Sequence, residues 1–231
     1  MYDKKTARTV SILFGVLLAV TVLTIAIVGM NSAIDGDATD AEAIQNAART
    51  ASLLTVSSDM VVDGDGAFDE TCLESYEAQL TDTFTADSEI ISLYYDLMKQ
   101  TCESFGATSS VVLGNEVASF NTRSLKIDGD TAMIVYDIAI LQKYLSYTGG
   151  LSGDSYEMVF SVGTETDTCQ LVKEDDGVWR VASLTMDNYQ CGSPEDFGMS
   201  NDDLRMEFPT RQEACAYANS LSVEDICPLL K

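Results

Sequence analysis

The sequence predicts an α+β protein: an N-terminal transmembrane helix, then a block of helices packed on an antiparallel sheet, and a short Cys-containing helical C-terminal appendix. Three observations carry this reading. Thr9 to Met30 contains no charged residue. Apolar residues then recur at helical spacing between Ile44 and Phe105. After Gly106 the apolar period drops to two, and helices in a block followed by consecutive strands make an α+β pattern.

The leading segment comes first. Its 22 uncharged residues, at about 1.5 Å each, span roughly 33 Å, which matches a hydrocarbon core of about 30 Å. Lys4, Lys5 and Arg8 precede the run and Asp35, Asp37, Asp40 and Glu42 follow it. That asymmetry orients the amino end to the cytoplasm and the remainder outside. A cleaved secretory signal is the alternative, but its apolar region is typically about 7 to 15 residues, and Asn31-Ser32-Ala33 puts Asn where a small residue is wanted. Gly15 and Ala19 form a small-xxx-small pair of the kind that lets two membrane helices approach.

The chain has 231 residues, no histidine and a net charge of −24. Without histidine there is no Ser–His or Cys–His pair and the commonest transition-metal ligand is missing. From Ile34 onward 36 acids face ten bases, a net charge of −26, which excludes a phosphate-binding nucleic-acid surface. Solubility and mutual repulsion explain such a surface; a salt-rich habitat or a cationic partner are sharper alternatives. All six cysteines, Cys72, Cys102, Cys169, Cys191, Cys215 and Cys227, follow the apolar run. In an oxidising compartment they form up to three disulfides, and the sequence does not choose among 15 pairings. The sequential pairing, Cys72 with Cys102, Cys169 with Cys191 and Cys215 with Cys227, is the expectation. No C-x-x-C occurs, so a zinc site is not expected.

Thr39-Asp40-Ala41-Glu42 reads as a capping box that opens the first helix of the exported part, with Ile44, Ala47, Ala51 and Leu54 as its apolar stripe. Asp63-Gly64-Asp65-Gly66 ends it. A short second helix carries Leu73, Tyr76 and Leu80 on one face. A third starts near Asp87 as N-cap, places Ile91, Tyr94, Met98, Cys102 and Phe105 on one side, and stops at Gly106.

Val111 to Lys126 and Thr131 to Leu145 read as strands joined at Asp128-Gly129. In the second, Ala132, Ile134, Tyr136, Ile138 and Ile140 face one way and Met133, Val135, Ala139 and Leu141 the other, which predicts a central strand covered on both faces. Gly149-Gly150-Leu151-Ser152-Gly153 is a loop, and Tyr156 to Lys173 and Val178 to Met186 are strands joined at Asp175-Asp176-Gly177. Beyond Cys191, Pro194 and the acids near Asp202 read as loop. Thr210-Arg211-Gln212-Glu213 is a second capping box, opening a helix with Ala214, Cys215 and Tyr217, and Ser222 to Leu230 is a final turn.

Two stretches, Ile127-Asp128-Gly129-Asp130-Thr131-Ala132-Met133-Ile134-Val135-Tyr136 and Leu171-Val172-Lys173-Glu174-Asp175-Asp176-Gly177-Val178-Trp179-Arg180-Val181, resemble hairpins of the nuclear-transport-factor-like (SnoaL-like cone) superfamily in its membrane-anchored, exported form. The resemblance spans roughly residues 37–189. It implies a curved antiparallel sheet wrapped over the preceding helices as a cone with a pocket, and a packing role for Trp179. The carboxyl appendix and the six cysteines depart from the family pattern. Enzymes of that superfamily work with carboxylates, tyrosines or histidines inside the cone, and no carboxylate of this chain matches a family catalytic motif residue by residue.

Asp137 is the one catalytic candidate. With Val135 and Ala139 on its face of the strand, it would have a raised pKa and serve as a general base; the competing reading places it at an exposed margin or paired with Lys143 or Arg180. Gly150-Leu151-Ser152-Gly153 is not a G-x-S-x-G elbow, and no Ser stands three residues before a Lys. Asp63, Asp65, Asp69 and Glu74 fall at the first, third, seventh and twelfth positions of a calcium-loop length, but Ala67 and Phe68 occupy positions that call for a ligand and for Gly.

The expected organisation is a cytoplasmic basic flank over 1–8, a transmembrane anchor over 9–30, a linker over 31–38, the α+β domain over 39–190 and a Cys-containing extension over 191–231. The expected function is that of a single-pass membrane protein whose extracytoplasmic domain binds a ligand or an envelope protein without catalysis and without a cofactor. The alternatives are a structural envelope component and an isomerase- or dehydratase-like enzyme using Asp137.

Overall fold

Long strands with apolar residues at period two need a cover for each apolar face, and this chain supplies a different cover for each. The computed structural model describes residues 34–35, 38–56, 70–104, 110–147, 156–192 and 205–226. In chain order the elements are β1 (Ile34–Asp35), α1 (Ala38–Val56), α2 (Glu70–Thr83), α3 (Glu89–Ser104), β2 (Ser110–Asp128), β3 (Thr131–Tyr147), β4 (Tyr156–Lys173), β5 (Trp179–Gly192), β6 (Arg205–Phe208), α4 (Arg211–Ser220) and α5 (Val223–Ile226). This is the α+β arrangement the sequence predicts. No helix among the described residues is long and apolar enough to cross a membrane. The run from Thr9 to Met30 lies outside them.

The strands follow the order β1-β2-β3-β4-β5, with β6 also paired to β4. β2 through β5 are antiparallel neighbours. Gly129 and Gly177, with φ of +58° and +81°, make the two turns that join β2 to β3 and β4 to β5, a conformation L side chains resist. β2 shifts register against β3 at Val112/Gly114, Val117/Ser119 and Thr122/Ser124, and each such bulge bends the strand.

One face of the sheet lies under the helices. Ile44, Ala48, Ala51 and Leu54 of α1, Tyr76 and Leu80 of α2 and Met98 of α3 are buried with Ile134, Tyr136, Ile138 and Ile140 of β3. Alanine at three sheet-facing positions of α1, Ala41, Ala48 and Ala51, keeps that surface flat and lets it lie close to the strands. Each large apolar side chain buried there contributes about 1.5–3 kcal/mol. The last carbonyls of α1 find side-chain donors: Tyr76 Oη donates to Leu54 O at 2.8 Å and Asn115 Nδ2 to Val56 O at 3.0 Å.

The opposite face is covered over half its length by the carboxyl appendix. Ala139, Leu141 and Leu145 of β3 and Met158, Phe160 and Val162 of β4 pack with Ala214, Cys215, Ala218 and Ile226. So β3 is covered on both faces, as its two apolar sets predict, with Met133 left exposed beyond the appendix.

Several boundaries differ from the sequence reading. α1 opens at Ala38, so Thr39 lies inside its first turn. At α3 it is Ser88, not Asp87, whose Oγ accepts from the Ile90 amide, at 3.4 Å. Within the expected linker, Ile34 and Asp35 pair in parallel with Leu125 and Lys126 of β2. β5 continues six residues past Met186, and β6 replaces part of the expected loop, pairing Phe208 with Tyr156 and Arg205 with Val159. The extension therefore adds a strand to the sheet. The capping box at Thr210 forms, with the Glu213 amide donating to Thr210 Oγ1 at 3.3 Å, and Ser222 with Asp225 makes another at α5.

Candidate functional site

β4 alternates threonines with a second set, Gly163, Glu165, Asp167 and Cys169, and it is the second set that faces the helices. Asp167 and Cys169 lie beside Tyr136 and Ile134 of β3 in the register, under Ser52 of α1. Ser52 Oγ donates to Asp167 Oδ2 and lies 2.6 Å from Tyr136 Oη. Tyr136 Oη is also 3.1 Å from the Ala48 carbonyl and 3.3 Å from Cys169 Sγ. Ser52, Tyr136, Asp167 and Cys169 are fully buried.

Burial sets the protonation of this cluster. It pushes the Tyr136 hydroxyl far above its usual range and the Cys169 thiol up to about 12, so both keep their protons. It raises Asp167 too, against the hydrogen bonds from Ser52 and Tyr136 that favour the carboxylate. Asp167 Oδ1 has no hydrogen-bond partner, a state a neutral carboxyl tolerates far better than an ion.

Glu165 lies two residues along, 8% exposed, and lines a small, partly open space of about 20 Å³ with Val56, Ile140, Gln142, Gly163 and Tyr189. That volume holds one water. Burial, then the charge of Asp167, raises the Glu165 carboxyl to about 7. The wall over Gly163 is the Tyr189 ring, which would stand 3.2 Å from a Cβ placed there. Tyr189 gets there because β5 slips register against β4 between Thr164 and Thr166, with Asn188 at a left-handed φ of 56°.

Chemically the cluster offers proton holders rather than an exposed nucleophile. Its hydroxyls, thiol and inner carboxyl are sealed, and the space beside Glu165 is far below the roughly 300–1,000 Å³ of a small-molecule site.

The sequence candidates fall elsewhere. Asp137 is on the other face of the sheet, 40% exposed, with Oδ2 2.7 Å from Arg123 Nε and Oδ1 2.8 Å from Thr166 Oγ1. Its expected role as a buried base is therefore corrected, and its partner is Arg123 rather than Lys143 or Arg180. Lys143 pairs with Glu116, and Arg180 with Glu174 and Asp176. Asp63, Asp65 and Asp69 of the calcium loop lie outside the described residues; Glu74 is exposed on α2. No group of three or more His, Cys, Asp or Glu placed to hold a metal ion occurs among the described residues.

The expected Cys169–Cys191 disulfide is also corrected: both are free thiols. Cys169 lies beside Leu184 and Cys191 beside Gly163, six positions apart along β4, or about 20 Å at the rise of a strand. A disulfide needs its Cα atoms within about 7 Å. Cys72 is half-buried on α2, Cys215 is buried on α4, and the side chains of Cys102 and Cys227 are outside the described set.

The buried acids were missed in the sequence reading. Thr164-Glu165-Thr166-Asp167-Thr168-Cys169 alternates strictly, but either set suits a covered face until it is known which side the helices take. Cys169 and Leu171, in phase with the acids, are the signal the sequence offers.

No family model and no curated protein matches the chain. Among solved structures, the crystal structure of the intermembrane space region of chloroplast protein ARC6 is similar with a TM-score of 0.40 and 13% identity, over 66% of this chain and 98% of that one.

Proposed function

We propose that the chain is a single-pass membrane-anchored protein whose extracytoplasmic α+β body binds a protein partner at the cell envelope without catalysing a reaction. The observation that carries this reading is the closure of the polar interior. The groups equipped for proton chemistry, Ser52, Tyr136, Asp167 and Cys169, are fully buried, and the small, partly open space beside Glu165 takes one water. A body of this kind acts through its surface.

The charge-free run Thr9–Met30, the basic residues before it and the net charge of −26 after it support the anchor and its orientation. The resemblance of the two hairpin motifs to nuclear-transport-factor-like proteins supports an exported cone-like body. The filled interior among the described residues favours a protein partner over a small ligand.

Cys191 supplies the test, since its thiol is free and exposed. In right-side-out membrane vesicles carrying the full chain, a membrane-impermeant maleimide should label Cys191, and Cys191→Ser should remove that labelling. Labelling confined to inside-out vesicles would reverse the topology, and recovery of the chain from the soluble fraction would remove the anchor.

A further inference from the structure

Glu165 is a carboxyl without a counter-charge. Its Oε1 has no hydrogen-bond partner, and the one-water space beside it cannot hold the several donors that the lone pairs of a carboxylate ask for. The polar groups around it are acids, hydroxyls, thiols and the Gln142 amide, none of them a cation. Asp167 shares its strand, and Tyr94 of α3 and Tyr189 of β5 feel its charge; Tyr136, Cys169 and Asp187 act on Asp167, and Cys191 on Tyr189. α1 contributes Ser52 and Val56 to this side, while its Arg49 is held over the Phe120 ring, 5.0 Å from the centroid. Among the described residues, then, ionised Glu165 is balanced by no cation, and in the closed arrangement its Oε1 finds no neutral donor either.

Of the walls of that space, Tyr189 alone is exposed, at 59%. It belongs to a run, 185–191, in which every residue of β5 is exposed, and it follows Asn188, whose left-handed backbone sits at the register slip. Two adjacent features thus make this end of β5 the yielding side: few packing contacts hold it, and one residue already departs from strand geometry.

We propose that Glu165 and Tyr189 form a proton-operated latch: the neutral carboxyl lets the Tyr189 ring close on Gly163, and the ionised carboxylate draws water in and lifts Tyr189 together with residues 185–191 of β5. The burial that raises the Glu165 carboxyl to about 7 sets the operating range near neutrality, so acid closes the latch and base opens it. The residues released are exposed strand backbone at the end of the sheet order, the kind of edge that pairs with another chain.

Hydrogen exchange of the segment 185–191, measured by mass spectrometry on the purified full chain in detergent and corrected for the intrinsic pH dependence, tests the latch. In the wild type, protection at pH 8.5 is expected to be at least tenfold lower than at pH 5.5. Glu165→Gln should keep the pH 5.5 protection at both pH values. Gly163→Ala, whose new methyl pushes the Tyr189 ring from 3.2 Å, should show low protection at both and does not touch the carboxyl. Equal protection at the two pH values in the wild type, or a wild-type pH response in Glu165→Gln or in Gly163→Ala, overturns the proposal.

Discussion

Lys143 Nζ lies 2.9 Å from the carbonyl oxygen of Leu221 and 3.1 Å from that of Ala218, so a buried lysine of the central strand caps the end of α4. A cation at a helix C-terminus meets the negative end of the macrodipole and the carbonyls left without intrahelical donors. The same ammonium pairs with Glu116 of β2. Lys143 therefore fastens the carboxyl appendix to the sheet from the middle of an otherwise apolar contact.

Removing that fastener is expected to loosen the appendix before it unfolds the body. Lys143→Ala should cost about 1–3 kcal/mol, because Leu221 O loses its lysine donor and Ala218 O keeps only the 3.4 Å bond from the Leu221 amide, while half-exposed Glu116 is rehydrated. Lys143→Met, which keeps the apolar stem, should cost less. Denaturant unfolding gives the magnitude. Limited proteolysis should cut within 205–226 in the alanine variant while 110–192 stays intact, and unchanged cleavage would show that the apolar contacts alone hold the appendix.

Ser52 is the donor that Asp167 Oδ2 depends on. Ser52→Ala removes the larger of the two hydrogen bonds on a buried carboxyl whose other oxygen already lacks a partner, leaving Tyr136, and should destabilise the fold by about 1–3 kcal/mol. Asp167→Asn replaces a titrating acid by a neutral amide of the same shape. The two changes share one hydrogen bond, so a double-mutant cycle should give a coupling of about 0.5–3 kcal/mol. Strict additivity would mean that the serine hydroxyl acts only through Tyr136.

The acids of β4 also fix how stability depends on pH. Glu165 rises from 4.5 to about 7 in the folded state, and Asp167 is raised as well. A folded state that holds its protons more tightly than the unfolded chain is fully stabilised below the ordinary carboxylate range and loses that advantage as pH climbs through the raised value. Stability should fall between pH 5 and 8, with Glu165 accounting for about 3 kcal/mol of the decline. Denaturation midpoints across that range check it: Glu165→Gln should flatten most of the slope, and a slope unaltered in that variant would assign it elsewhere.

Asp137, by contrast, should be nearly silent. Its carboxylate is exposed and its contacts with Arg123 and Thr166 lie on a solvated face. Asp137→Asn is expected to change unfolding free energy by less than about 1 kcal/mol.

How much of this was legible in the sequence follows from what each pattern encodes. Period and caps located the start of α1, both ends of α3, the start of α4 and both ends of β4 to within a residue or two, because caps and turn glycines such as Thr210 and Gly177 act on their immediate neighbours. β3 also announced its two covered faces. β6 was not legible: Arg205 to Phe208 is a strand only because Tyr156 to Val159 is there to pair with it. The same holds for the site. Asp137 drew attention because apolar residues flank it, yet Arg123 reaches it across the sheet from β2. Glu165 and Asp167 alternate with threonines that suit either face, and only α1, by laying Ser52 and Val56 over them, decides that the acids are covered. Nor does a strand register leave a trace that would have separated Cys169 from Cys191.

The β4–β5 turn is tied to the start of α1 through Asp40, which accepts from Lys173 Nζ at 2.9 Å and from Trp179 Nε1 at 3.0 Å. Lys173 first, and then the indole N–H, hold the Asp40 carboxyl below its usual range. Because the folded value is the lower one, the contribution to stability is present above the ordinary carboxylate range and is lost as pH falls through the folded value. Trp179 is the chain's single tryptophan, so its fluorescence reports this contact directly. Emission should stay constant from neutral pH down past the usual titration of an aspartate and shift only below it, as the proton releases the indole and Lys173. Asp40→Asn should weaken the contact with Lys173 at every pH and abolish that acid transition in the fluorescence. A transition that persists in Asp40→Asn would place its origin outside the Asp40–Trp179 pair.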